Sequence, residues 1–560
     1  MSARARLITL LGAAALAVTG AARADTSVTF DGEVPASGPD HFFLPFTVPA
    51  GTRELVVKHD DRSEANILDF GLYDPSGYHG WGGGTSEDVV INEAAASRAY
   101  VRGVTAGAWS VVVGKAKIAS PPGQYHVEIT FRDAPTLEPQ TDRSPYRELT
   151  TPLKRERRWY AGDFHVHSRE STDAKPTLDQ ILAFARSRKL DFVEISDHNT
   201  ITQLDYFNAA QKRNPDVLLV PGVEYTTYAG HANGIGATRW VDHKIGQPGV
   251  TIEEAARLFH SQGAIFSINH PMLELGDLCI GCAWKHKLDP SQIDAVEIGT
   301  GGFEQGARLF HTAVIAFWEK QLATGRHVFP VGGSDDHSGG EARGQFASPI
   351  GSPTTMVFAD ELSMSHILLA LRDGKTVVKL QGPDDPMVDL RTDFATVGGT
   401  EGARSAVFRA WVTGGRGTRL SIVRNGEVIQ DVAVDSDPFL HYMDALPPPT
   451  GEDRYRAEIL VDDHPRTITN HIFLRFNPSG YDAIGARASK GGACSLVFSG
   501  NVVGCAVPTV AALALVLVGR RARRATARDP QGGATSARAP PPPRPSQDAS
   551  RRPTGRGRSS

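Results

Sequence analysis

Cysteine is scarce: the chain has four in 560 residues, and two of them, Cys494 and Cys505, sit near the carboxyl end. That excludes a scaffold built from disulfides and leaves hydrophobic cores to supply stability. Positive charge is also scarce once the ends are set aside. The chain carries −4 overall, but the first 24 residues hold three Arg and no acid, and residues 519–560 hold eleven Arg against two Asp, so the stretch between stands at −16. A body this acidic lacks the basic footprint of a nucleic-acid binder, and no nucleic-acid partner is expected.

The two ends carry the apolar runs. "MSARARLITLLGAAALAVTGAARA" places Arg4 and Arg6 before an apolar stretch from Leu7 to Val18 and an Ala22-Arg23-Ala24 cleavage pattern, which predicts a signal peptide over 1–24. The run is too short for a membrane anchor. Cys494 to Gly519 contains no charged residue and leads into Arg520, Arg521, Arg523 and Arg524. That pattern predicts a transmembrane helix over 502–519 with a positive-inside stop, after a cysteine-containing region at 478–501 and before a disordered Arg/Pro-rich tail at 520–560. The expectation is an exported protein, periplasmic or on the cell surface, held to a membrane by its carboxyl end.

Helical periodicity is missing from residues 26–132, where short strand-like runs such as "RELVVKH", "WSVVVG" and "YHVEITF" alternate with Gly and Pro, predicting a β-sandwich over 25–135. The cluster "GWGGGTS" reads as a loop around Trp81, since no lysine or helix start follows to make a phosphate cradle. "DAPTLEPQTDRSPYRELTTP" is polar and proline-punctuated, so 136–157 reads as a linker. From 158 to 380 amphipathic helical segments ("TLDQILAFARSRK", "TIEEAARLFHSQG", "ARLFHTAVIAFWEKQLATG", "SMSHILLALRDG") alternate with strands apolar on both faces. Such alternation predicts a parallel sheet covered by helices, most simply a barrel. Residues 381–477 return to period-two strands with an Asn425-Gly426 hairpin turn, predicting a second β-sandwich.

The chemistry lies where the central strands end. "GDFHVHS" ends in His165 and His167, "VEISDHN" in Asp197 and His198, "VPGVEYTT" in Glu224, "IFSINHP" in His270, "VGGSDDHS" in Asp335 and His337, and His231 opens "GHANGIG". In a barrel of this kind the carboxyl ends of strands carry the site. Residues two apart on a strand share a side, so His165 and His167 face together, as do Asp335 and His337. Imidazoles and carboxylates without thiolates are the ligand set of zinc, manganese or iron, and one carboxylate can bridge two ions. For His260, His311 and His366, inside helices, ordinary packing is the reading. Cys279 and Cys282 lie in the loop after the His270 strand, near the mouth, and read first as a tight disulfide, with redox chemistry or an extra zinc ligand set as the alternatives. Arg343, Lys285 and His286 lie in mouth loops as candidate clamps for an anionic substrate, with surface solvation as the alternative.

As an ordered set, "YAGDFHVHS…STDA", "ISDHN", "PGVEYTTYAGHANGIG", "SINHP", "GGSDDHS" and "IGSPTTMVFA" resemble the PHP-domain (polymerase and histidinol phosphatase) metallohydrolases, and within them the CehA/McbA branch. The resemblance spans about residues 158–380 and implies a distorted (β/α)7 barrel with a site for two or three ions. His165, His167 and Asp335 would hold one ion, Glu224 would bridge it to a second on His231 and His270, and Asp173, His198 and His337 would hold a third. Where the family often shows S-D-G, this chain has Ser171-Thr172-Asp173-Ala174, which leaves the register of Asp173 open. Asp197 is a candidate ligand-orienting or proton-shuttling residue, with loop capping as the alternative.

The implied reaction is hydrolysis by metal-activated hydroxide of a small-molecule ester, a phosphate ester first and a carbamate or carboxylic ester second. Glu224, Asp197 and Arg343 are the candidate catalytic residues. The rival is a non-catalytic surface-binding protein. The carboxyl-terminal region resembles cysteine-containing sorting tails of the MYXO-CTERM type, which implies a processing protease as partner.

Overall fold

Strands dominate the chain, and alternation along each one decides which face is buried. The computed structural model describes residues 25–492, with residues 36, 302–307 and 343–346 excepted. These residues belong to one compact unit that runs to Ala493; a second, Cys494–Ser560, lies outside the described residues, as do the expected signal peptide, transmembrane segment and tail. No helix among the described residues is long and apolar enough to cross a membrane.

Two four-stranded antiparallel sheets form the amino-terminal layer pair, one of Thr26–Glu33, Gln124–Arg132, Glu54–Asp60 and Val89–Asn92, the other of His41–Val48, Gly107–Ile118, Asn66–Asp74 and Gly77–Gly83. Val127 and Ile129 on one inner face meet Phe46, Val111 and Val113 on the other, and all are buried. The glycine cluster is not a loop here: Gly77–Gly83 is a strand, and Trp81 lies buried on it. The run "AYVRGV" contributes only a single bridge, between Tyr100 and Gly80. The expected linker has no strand or helix over residues 136–152 but is pinned by Arg143. Its buried guanidinium pairs with Asp205 at 3.0 Å and donates to the Tyr100 carbonyl at 2.9 Å.

In the central region the four helices expected from periodicity appear as Leu178–Ser187, Ile252–Ser261, Arg308–Leu322 and Met364–Arg372. Three start at hydroxyl caps: Thr177 forms a capping box with Gln180, Thr251 accepts from the Glu254 amide, and Ser363 from the His366 amide. A further helix, Leu204–Arg213, has no side-chain cap and only three buried residues, a weaker pattern that the sequence reading passed over.

The central strands do not form one uninterrupted ring of parallel strands. Arg158–Asp163, Phe192–Ile195 and Leu218–Pro221 pair in parallel in one sheet; Ile265–Ile268, Ala295–Thr300 and Phe329–Gly333 do so in another. Between them the chain leaves Pro221, which has no N–H to extend a ladder, and turns into an antiparallel hairpin, Glu224–Thr227 with Gly230–Ile235. The sheets meet at the carboxyl ends of their strands through two single bridges, Val166 with Asp336 and His198 with Glu224. The Thr355 hydroxyl adds a further tie, accepting from the Gly332 amide and donating to its carbonyl.

The carboxyl-terminal strands wrap a separate apolar core around Leu390, Phe408, Ile422 and Ile459. Asn425 and Gly426 both have positive φ, 51° and 91°, as a two-residue hairpin turn requires. This layer is not cut off at residue 380: His464–Thr469 pairs with Thr376–Lys379, so one sheet of eleven strands runs across the expected boundary.

Candidate metal centre

The strand Arg158–Asp163 runs on as Phe164-His165-Val166-His167. Alternation sends Phe164 and Val166 into two apolar cores and leaves His165 and His167, both fully buried, on the opposite side. Gly333 on the neighbouring strand makes room for the first of these, because a Cβ there would collide with that of His165.

Glu224 is the hub. Its Oε1 lies 3.2 Å from His165 Nε2, 3.4 Å from His231 Nδ1 and 3.1 Å from His270 Nε2; its Oε2 lies 3.5 Å from His167 Nε2 and 2.8 Å from His198 Nδ1. Asp335 Oδ1 sits 3.3 Å from His165 Nε2 and 3.2 Å from His167 Nε2. Asp173 Oδ2 is 3.3 Å from His198 Nε2 and 3.4 Å from His337 Nε2, so the residue of open register faces the third pair of imidazoles. The structure thus brings together His165, His167, Asp173, His198, Glu224, His231, His270, Asp335 and His337.

Ligand-type atoms within 4.8 Å of one another fall into three groups: His165, His167, Glu224 and Asp335; His167, His198 and His337; and His231 and His270 beside Cys282, whose sulfur is taken by a disulfide and is no thiolate ligand. Five buried polar atoms in this one place lack a hydrogen-bond partner: His165 Nε2, His167 Nε2, Glu224 Oε2, His231 Nδ1 and Asp335 Oδ1. Each such orphan costs about 1–3 kcal/mol unless something binds it. All five are donor atoms suited to a divalent ion, so the residues fit the group.

Each imidazole spends its other nitrogen on the protein, which fixes the ring. His165 Nδ1 meets Glu297 at 2.9 Å, His167 Nδ1 the Ser171 hydroxyl at 3.1 Å, and His198 Nδ1, the nitrogen that also faces Glu224, the Thr226 hydroxyl at 2.7 Å, leaving Nε2 toward Asp173. His231 Nε2 meets the Ile280 carbonyl, His270 Nδ1 the Cys282 carbonyl and His337 Nδ1 the Asp335 carbonyl. Such outer partners set ring orientation in metal sites. His270 and Asp335 are also held at φ 27° and 56°, a conformation side chains other than glycine adopt only under constraint.

Burial opposes charge at Glu224, but His165, His198 and His231 outweigh it and hold the carboxyl well below its usual range. At His165 burial is likewise overcome by Glu224, Asp335 and Glu297, which push the imidazole well above its ordinary value. His167 goes the other way, lowered to about 3 by burial and by the neighbouring His337 and His198.

Asp197 does not enter the cluster through a hydrogen bond. Its oxygens accept from the Ser168 amide and hydroxyl, both at 2.6 Å, and burial pushes its carboxyl up to about 8; it fixes the loop after His167. Lys285 pairs with Glu274 at the surface and His286 meets the Thr227 hydroxyl, while Arg343 lies outside the described residues. Cys279 and Cys282 are bonded to each other. Among the buried carboxylates that escaped the sequence reading are Glu297 and Glu194, each the lone acid of its strand. That oddity was the available signal.

The centre opens into a cavity of about 790 Å³ with His198, Glu224, His337 and Asp335 among its lining residues. Its walls include Ile67, Asp69 and Trp81 from the amino-terminal sheets and the loop Leu273–Ile280. Asp69 accepts a hydrogen bond from the Tyr228 hydroxyl at 2.6 Å, joining the two regions at the rim.

No family model matches the chain, and no curated protein matches it. Among solved structures it is similar to a two-domain protein from Bacteroides vulgatus containing a predicted PHP-like metal-dependent phosphoesterase, at 16% identity over 59% of this chain and 99% of that one, with a TM-score of 0.33. It is also similar to an amidohydrolase from Chromobacterium violaceum with bound sulfate and no metal, at 14% identity over 34% of this chain and 90% of that one, with a TM-score of 0.23. At such scores the functional reading rests on the site itself.

Proposed function

We propose that the chain is a metal-dependent hydrolase of the PHP type, with a distorted barrel of central strands around a centre for two or three divalent ions, zinc, manganese or iron. The observation that carries this reading is Glu224, whose two oxygens face five histidines while five buried donor atoms at the centre, its own Oε2 among them, have no hydrogen-bond partner. His165, His167 and Asp335 would hold one ion, His231 and His270 a second, with Glu224 between them, and Asp173, His198 and His337 a third. When bound, such ions supply Lewis acidity and lower the pKa of water. The chain's own part is to aim the ligands: Glu297 fixes His165, and the carbonyls of Ile280, Cys282 and Asp335 fix His231, His270 and His337.

The substrate is a small-molecule ester entering the cavity of about 790 Å³. A phosphate ester is the first reading and a carbamate or carboxylic ester the second, supported by the ordered motifs shared with the PHP family and its CehA/McbA branch. The rival, a purely binding protein, gives no reason to maintain five orphaned buried atoms at one point. Export and anchoring through the carboxyl-terminal tail, with a processing protease as partner, belong to the same reading and rest on the sequence of the two ends.

One plate of chromogenic phosphomonoester, phosphodiester, aryl acetate and N-methylcarbamate tests the activity, with and without chelator, on wild type and Asp335→Ala. Chelator-sensitive turnover lost in the variant is expected. Turnover of every cleaved substrate that survives both treatments would overturn the reading.

A further inference from the structure

Asp173 sits on a loop with no helix or strand of its own, between His167 and the helix Leu178–Ser187. Ser171 secures the start of that loop, its hydroxyl meeting His167 Nδ1 and accepting from the His198 amide at 3.0 Å. Past Ser171, the carbonyls on either side of Asp173 are held from outside the central region. Arg98, in the amino-terminal layer pair, donates from Nη2 to the Thr172 carbonyl at 2.5 Å and from Nη1 to the Ala174 carbonyl at 2.7 Å. Its fork is fixed by Glu87, which accepts from Nε at 2.7 Å and from Nη2 at 2.6 Å. The Thr172 hydroxyl donates to the Gly82 carbonyl at 2.6 Å.

A separate feature points to the same contact. Ala99, next to Arg98, has φ 67°, and from that conformation its amide donates to Glu170 at 3.2 Å on the same loop. A left-handed residue other than glycine costs on the order of 1–3 kcal/mol and persists where the surroundings enforce it. Glu170 is buried and also accepts from the Thr202 hydroxyl at 2.7 Å, so this anchor is rigid at both ends. A planar guanidinium suits the task because one group reaches two carbonyls and a carboxylate at fixed angles.

We infer that Arg98 is a positioning residue for Asp173, so that the His198–His337 ion site is completed by the amino-terminal layer pair and not by the central region alone. This rests on the metal-dependent reading above. A clamp that merely joined two regions would change unfolding and leave ion binding untouched; a positioning residue changes one ion.

The test counts manganese or zinc per chain by elemental analysis and follows release to a chromogenic chelator, using full chains of wild type, Asp173→Asn, Arg98→Ala and the double variant. Arg98→Ala should weaken the same ion that Asp173→Asn loses, by roughly 10–100-fold, and keep the others. The double variant should be no worse than Asp173→Asn, as expected of residues acting as one unit. Wild-type ion affinity in Arg98→Ala, additive losses, or loss of ions that Asp173→Asn retains would each overturn the proposal. If Arg98→Ala fails to fold, Thr172→Val, which removes only the tie to Gly82, takes its place with the same expectation on a smaller scale. A wild-type chain that binds no divalent ion removes the metal reading itself, and the proposal with it.

Discussion

Glu297 holds His165 by its Nδ1 at 2.9 Å across 132 residues of sequence, while His165 Nε2 faces Glu224 and Asp335. One carboxylate thus sets which ring nitrogen of the opening histidine is free to bind.

Glu297→Gln should therefore lower metal affinity roughly 10–100-fold without removing a ligand. Equilibrium competition against a chelator of known affinity measures this. Unchanged affinity would mean that the ring is oriented by packing alone.

His165→Ala should lose bound metal and hydrolytic activity yet keep its far-ultraviolet circular dichroism, because the strand that carries it is anchored by Phe164 and Val166 in apolar cores. Collapse of the spectrum would instead assign the metal a structural role.

Glu54 gives a pH-dependent prediction away from the centre. Burial pushes its carboxyl up, but the amide of Leu137, the hydroxyl and amide of Thr136 and the side chain of Asn92 outweigh it and bring it down to about 2 from 4.5. A folded-state pKa below the unfolded one stabilises the fold above about pH 4.5, and that contribution fades as pH falls toward 2. Glu54→Gln should cost about 1–3 kcal/mol at pH 7 and much less at pH 3, read from urea unfolding. An equal cost at both would place the effect in packing.

Anchoring through the tail predicts that a chain stopped before Cys494 fractionates as soluble protein while the full chain stays with membranes. Identical partitioning of the two would remove the anchor.

Much of this protein is written in short-range sequence. Alternation in "GDFHVHS" puts two histidines on one side of a strand, hydroxyl residues cap three helices, and Asn425-Gly426 forces a hairpin, all because the interactions involved span only a few positions. The ends, Arg343 among the mouth residues, and the tail lie outside the described residues, so those expectations stand on sequence alone. What tertiary structure decided is how distant segments meet. Pro221 and the antiparallel hairpin after it split the central strands into two sheets, and a sheet runs through residue 380 where the change of periodicity suggested a boundary. Asp197, which shares a motif with His198, turned to Ser168, whereas Glu297, Arg98 and the walls from the amino-terminal sheets came to the centre from far along the chain. Local pattern sets which face a side chain takes; its partner is set by strand crossovers and docking between segments tens of residues apart or more, which no period in the sequence encodes.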